Sequence, residues 1–174
     1  MLACLSVGFL EQLVADSPNE LEKKARGALT RLYRHSAFAA DNVENAFAVL
    51  VFPEAKKLGL GVGVETGTGV LFHKLKPLSF YNLTGISCGL ELGIQKFGYA
   101  IFFMTEDALN YLDNSRGLEL GFAPSLVVGD GLLNGAVSTT TENNGILAFT
   151  FNQTGLMLDV GVHVAKFTEY EPGD

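Results

Sequence analysis

Apolar and polar positions follow two different rhythms along this chain. From Pro18 to His35 the apolar residues recur at steps of three and four. Ala25, Ala28, Leu29, Leu32 and Tyr33 share one side, and Lys23, Lys24, Arg26, Arg31 and Arg34 occupy the opposite arc. That spacing predicts an amphipathic helix, opened by Ser17-Pro18. Residues 3–14 predict a shorter helix, with Leu2, Leu5, Phe9 and Leu13 close to one face. A third helix is expected over 37–47, capped by Ser36 or Asp41. Thr105, followed by Glu106 and Asp107, predicts another at 106–114.

After residue 46 the rhythm shortens. Residues 46–53 are continuously apolar and read as a buried strand that Pro53 ends, with a turn at 54–57. Strands are expected at 58–65 and 68–75 around a Thr66-Gly67 turn, and at 80–94 and 97–104 around Gln95-Lys96. Others follow at 117–128, 132–140, 146–152 and 155–168, with turns at 143–145 and 152–155. In 58–64, 85–94, 117–122 and 155–164, glycines recur two or four residues apart between large apolar residues. Successive strand residues face opposite ways. Each segment therefore has one apolar face and one nearly bare face. Glycine inside a strand adds no packing, so the bare face implies close approach by a helix, another backbone or a ligand.

Many sequential strands with short links, preceded by helices, predict an α+β fold. The expected sheet is glycine-rich, mainly antiparallel and strongly curved or barrel-like, with the N-terminal helices packed on it. The expected organisation is an apolar segment at 1–17 and a single domain at 18–170. At 174 residues, 48% of them hydrophobic and 18% charged, the chain can bury a substantial core.

The net charge of −7 argues against a nucleic-acid partner, but the charge is unevenly spread. Residues 1–87 hold nine Lys/Arg against eight Asp/Glu, and residues 88–174 hold three against eleven. Any anion-binding surface is therefore expected in the first half. Cys4 and Cys88 have no metal-ligand spacing, and Cys88, on the apolar parity of its strand, reads as a buried thiol. No apolar run reaches the roughly 20 residues of a membrane-spanning helix. The opening MLACLSVGFLEQLV lacks a basic stretch, so it is read as an amphipathic helix or a signal remnant.

Catalytic chemistry is not evident. His35, His73 and His163 have no partners at triad or metal spacing, and residues 59–67 miss the third glycine of a dinucleotide loop. Neither a cofactor nor a metal is expected. Glu65, Glu91, Glu119 and Asp159 share parity with the glycines of their strands. They read as the solvated face of a one-sided sheet, with a convergent cation site as the sharper alternative. The basic arc of 18–35, joined by Lys56 and Lys57, is the expected binding surface. Such an arc suits anionic lipid head groups, although a helix docked on a sheet also turns its charges to water.

Residues 43–72 (VENAFAVLVFPEAKKLGLGVGVETGTGVLF) resemble the core of the SYLF domain, an apolar strand ending in FP and then the spacing KKxGxGxGxxxGxGV from Lys56 to Val70. Gly85, Gly89 and Gly93 resemble the family's GxSxGxQxG strand, with Glu91 in place of Gln. Residues 101–112 and 155–161 resemble its strand-plus-helix and closing segments. The resemblance implies a non-enzymatic lipid-binding domain. In that family, phosphoinositide binding in eukaryotic members runs through a basic amphipathic N-terminal region, and bacterial members are usually single-domain, exported or lipoprotein-like. It implies anionic phospholipid or a membrane surface as partner, through Lys23, Lys24, Arg26, Arg31, Arg34, Lys56 and Lys57. The expected location is the periplasm or cell envelope, with the cytoplasm as alternative. A protein-interaction module with an envelope or cytoskeletal partner is the second reading.

Overall fold

The computed structural model describes residues 16–114, 118–122 and 145–172. The expected helix at 3–14, Cys4, and the strand at 132–140 lie outside these residues. Helix α1 spans Pro18–His35. The Ser17 hydroxyl accepts from the Glu20 N–H, and the Glu20 carboxylate accepts in return from the Ser17 N–H, both at 3.4 Å. This reciprocal cap satisfies two orphan donors, and Pro18 sits where its missing N–H costs nothing. Ser36 ends α1 by donating its N–H to the Leu32 carbonyl. Its hydroxyl also accepts from the Ala39 N–H at 3.2 Å and so opens α2, Ala37–Val43. Ser36, not Asp41, is the cap, and α2 stops four residues short of the expected end.

Strand β1 runs from Ala48 to His73 and β2 from Lys76 to Phe103, paired along their length. Helix α3 spans Glu106–Asn114, with the Ala108 N–H donating to Thr105 Oγ1 at 3.2 Å. Strand β3 covers Leu118–Phe122 and β4 covers Ile146–Tyr170. The described sheet has the order β1-β2-β4-β3, antiparallel throughout. The α+β class holds.

The breaks expected within these strands are corrected. Residues 54–57 stay in β1, which absorbs the irregularity as a register shift between Phe52 and Ala55. Thr66 and Gly67 sit inside the ladder opposite Thr84 and Leu83. Gln95-Lys96 is likewise continuous, with a shift between Lys96 and Gly98, and β4 passes through Asn152 at φ 51. The reversal between β1 and β2 falls at Lys74-Leu75, with φ of 47 and 65. Two successive positive φ values match the twist of a hairpin, but neither residue is one that usually signals it.

Alternation along the strands divides the core in two. Val49, Val51, Val70, Phe72, Ala100, Phe102, Phe149 and Phe151 pack under α1 and α2 against Leu21, Ala25, Ala28, Leu29 and Leu32. Leu50, Phe52, Leu71, Leu83, Tyr99, Ile101, Phe103 and Phe167 form the other cluster with Ala108, Leu109 and Leu112 of α3. Tyr99 stacks on Phe167 at 6.0 Å between ring centroids, and Phe52 approaches Phe167 at 5.5 Å.

Three glycines explain themselves by contact. A Cβ on Gly69 would meet the Val51 carbonyl and the Phe52 ring at 2.6 Å, and one on Gly67 would meet the Ala55 Cα at 3.2 Å. A straight strand would hold Ala55 and Gly67 roughly 40 Å apart, so β1 bends between them. At Gly98 the Phe151 ring fills the space of a side chain. The bare positions are thus approached by the sheet's own backbone and rings. The strand order leaves β1 and β3 at opposite ends, with no ladder between them among the described residues. The expected closure into a barrel is absent from the described sheet.

Candidate functional site

All five cations of α1 are exposed. They are not equivalent. Lys24 pairs with Asp16, and this hydrogen bond is the main cause of its raised pKa. Glu54 of β1 adds to the same shift, so the helix and that stretch of strand share one electrostatic neighbourhood. Arg26 is tied three ways. Its Nε donates to Glu22 at 2.8 Å, a terminal nitrogen donates to the Leu75 carbonyl at 2.9 Å, and its guanidinium lies 5.0 Å from the Phe72 ring centroid. It clips the β1–β2 turn to the helix. Lys23, Arg31 and Arg34 form no ion pair among the described residues. They are the cations best placed to receive an external anion.

Lys56 and Lys57 part company. Reading 54–57 as a turn puts both on the surface, but in a strand neighbours face opposite ways. Lys56 is exposed, 4.0 Å from Glu54, which also meets Lys96 at 3.3 Å. Lys57 is only 4% exposed, on the same side as Gly59 and Gly63, and its assignment as a head-group contact is withdrawn. Sequence reasoning placed Lys74 and Lys76 with the basic helix, and both are exposed at the turn whose Leu75 carbonyl accepts from Arg26; it missed Lys96 and Lys166, both exposed. Lys96 and Lys166 lie in the acidic half of the chain, and only the register brings Lys96 to Lys56.

The glycine-bearing strands are turned the other way from the expected arrangement. Lys57, Gly59, Gly63, Gly85, Ser87 and Gln95 are buried, while Glu65 is half-buried. The apolar residues between them face out: Leu58, Leu60, Val62, Val64, Ile86, Leu92, Ile94 and Val164. Leu60 is 80% exposed. The solvated bare face is therefore corrected to an inward one. Gly85 leaves room for the Glu65 side chain. The charge of Glu65, after burial itself, pushes the Tyr99 phenol well above its ordinary range. Burial alone raises Tyr33 to about 12.

Of the four acidic positions, only Glu91 and Asp159 are direct register partners. Glu119 stands opposite Lys166. Glu65 stands opposite Gly85, six positions along β2 from Glu91. Among the described residues no three His, Cys, Asp or Glu side chains could hold a metal ion. His73 packs edge-on against Phe47 at 4.6 Å, the place of a core histidine. The Cys88 side chain lies outside the described set, and its partner in β1, Val62, is exposed.

Among the described residues no helix is long and apolar enough to cross a membrane. No protein-family model matches the chain, and no curated protein matches it.

Proposed function

We propose that this chain is a non-enzymatic lipid-binding domain of SYLF type, holding anionic phospholipid head groups on the outer arc of α1. The observation that supports this reading is the separation of roles along that arc. Arg26 and Lys24 are engaged within the protein, while Lys23, Arg31 and Arg34 have no intramolecular counter-charge among the described residues. Cations near one another on a rigid helix attract a negatively charged surface without rearrangement. Lys56, exposed on β1, shares Glu54 with Lys96 and is a secondary contact. Phosphoinositides belong to this ligand class, and a peripheral position at the cell envelope fits it. Strong curvature of the sheet is part of the same proposal, supported by the contact of Gly67 and Gly69 with Ala55, Val51 and Phe52 of their own strand.

The test is co-sedimentation with vesicles of phosphatidylcholine alone or mixed with phosphatidylglycerol or a phosphoinositide. The wild-type chain is expected to pellet only with the anionic vesicles. The triple variant Lys23→Glu, Arg31→Glu, Arg34→Glu is expected to stay in the supernatant while keeping its circular-dichroism spectrum and melting temperature. A folded triple variant that pellets like wild type would refute the assignment of the site to α1.

A further inference from the structure

The exposed apolar residues of β1, β2 and β4 form a belt rather than a scatter. In register, Leu58 pairs with Ile94, Leu60 with Leu92, Val64 with Ile86, and Ile86 with Val164. Direct cross-strand partners stand on the same face, so these side chains make one surface that no described residue covers. On β1 it follows the bend, since Leu58 to Val64 lie between Ala55 and Gly67, which the fold brings together. Soluble chains rarely leave so large an apolar surface to water.

The belt has polar ends. Lys56 and Lys96 are partners in one flanking row, continued by exposed Thr154 in β4. Thr66, Thr84 and Lys166, all exposed, form the flanking row at the other end. The behind-facing positions are small or polar: Gly59, Gly63, Ser87 and Gln95. An apolar surface with polar residues at both margins is the pattern of a sheet that meets lipid. Lysines at the margins of such a band suit anionic head groups, with their stems along the apolar surface.

The belt lies on the same face of the sheet as the basic helix. Between Val64 and Val70 the β1–β2 ladder has no register shift, so the two valines share a face. Val70 packs in the cluster beneath α1. α1 and α2 cover the ends of the long strands on that face and leave the middle bare.

We propose that this belt enters the hydrocarbon of an anionic bilayer, with Leu58, Leu60, Val64, Ile86, Leu92 and Ile94 against acyl chains and Lys56, Lys96 and Lys166 at head-group level. The proposal rests on the lipid-binding reading and adds to it a second contact, with acyl chains in place of head groups.

The chain contains no tryptophan, so a single substitution creates a sole indole reporter. Leu60→Trp and Leu92→Trp probe the belt, and Leu78→Trp, exposed near the β1–β2 turn, is a control away from it. Each variant is mixed with phosphatidylglycerol–phosphatidylcholine vesicles, with and without brominated acyl chains, and pelleted in parallel. The expected result is a blue shift and loss of most emission to bromine for Leu60→Trp and Leu92→Trp, with little of either for Leu78→Trp. The double variant Leu60→Asp, Leu92→Asp is expected to fold and still pellet at low salt through α1, but to be released by salt that leaves part of the wild-type chain bound.

Pelleting without any shift in the belt reporters would overturn the belt and leave the head-group reading standing. Failure of every variant to pellet would overturn both. A blue shift already present without vesicles would overturn the belt in either of two forms. A doubled mass by light scattering assigns the face to a second copy, and an unchanged mass assigns it to another part of the same chain.

Discussion

Single residues decide more here than their chemistry suggests, because the sheet comes so close to itself. Gly69→Ala places a methyl group against the Val51 carbonyl and the Phe52 ring. Overpacking of this kind costs about 1–3 kcal/mol. Gly61 has open space around it but φ of +77, so Gly61→Ala costs about 1–2 kcal/mol through backbone strain alone. Gly27 lies inside α1, where a Cβ would make only ordinary contact with Arg31. Gly27→Ala is expected to stabilise by about 1 kcal/mol through helix propensity. Urea denaturation of the three variants checks both signs and their order. Adjacent lysines should differ just as sharply. Lys56→Glu on the surface shifts stability by no more than about 0.5 kcal/mol and weakens vesicle binding. Lys57→Glu reverses a charge at a 4% exposed position, and disrupting a buried charge costs about 3–5 kcal/mol. Thermal melts of the pair make the comparison. None of this separation was legible while 54–57 was read as a turn. Parity assigns faces only once a segment is known to be strand.

At the scale of elements, α1 and α3 were readable and the strand ends were not. α1 carries its own punctuation in Ser17, Pro18 and Glu20, and its boundaries match the periodicity. α3 has Thr105. The long strands carry misleading punctuation. Thr66-Gly67 resembles a turn, but Gly67 is there because Ala55 presses on it. The true reversal, Lys74-Leu75, has no turn signature, since its positive φ values are imposed by the pairing of His73 with Lys76. Replacing Lys74-Leu75 with Asn-Gly should therefore relieve local strain and raise stability by about 1–2 kcal/mol, read as a higher urea midpoint with an unchanged slope. The glycine pattern announced a two-faced sheet, but which face turns inward depends on α1, α3 and the bend in β1. Those are long-range facts that no local window contains.

At the scale of the molecule, the net charge of −7 and the basic arc of α1 describe different surfaces. Attraction to an anionic vesicle must act through the arc against repulsion from the acidic second half. Both are screened within about 8 Å at physiological salt, so added salt weakens the head-group contact and leaves the apolar one. Raising sodium chloride from 50 mM to 500 mM should accordingly lower the pelleted fraction several-fold without altering the fold, as sedimentation and circular dichroism together would reveal. The candidate site was partly legible from sequence: the α1 cations were, whereas Lys96, Lys166 and the uncovered belt needed the register.

The two-residue reversal at Lys74-Leu75 also sets an order of events. Partners next to it, such as His73 and Lys76, are neighbours in the chain, whereas Ala48 and Phe103 close the far end of the same ladder. Loop-closure entropy rises with separation, so pairing zips outward from the reversal and Ala48 meets Phe103 last. Phe47 and Met104, whose backbone bonds continue that end, lead directly to α2 and α3. The helices on either face of the sheet thus complete their packing only after the ribbon between them has been drawn up to its full length.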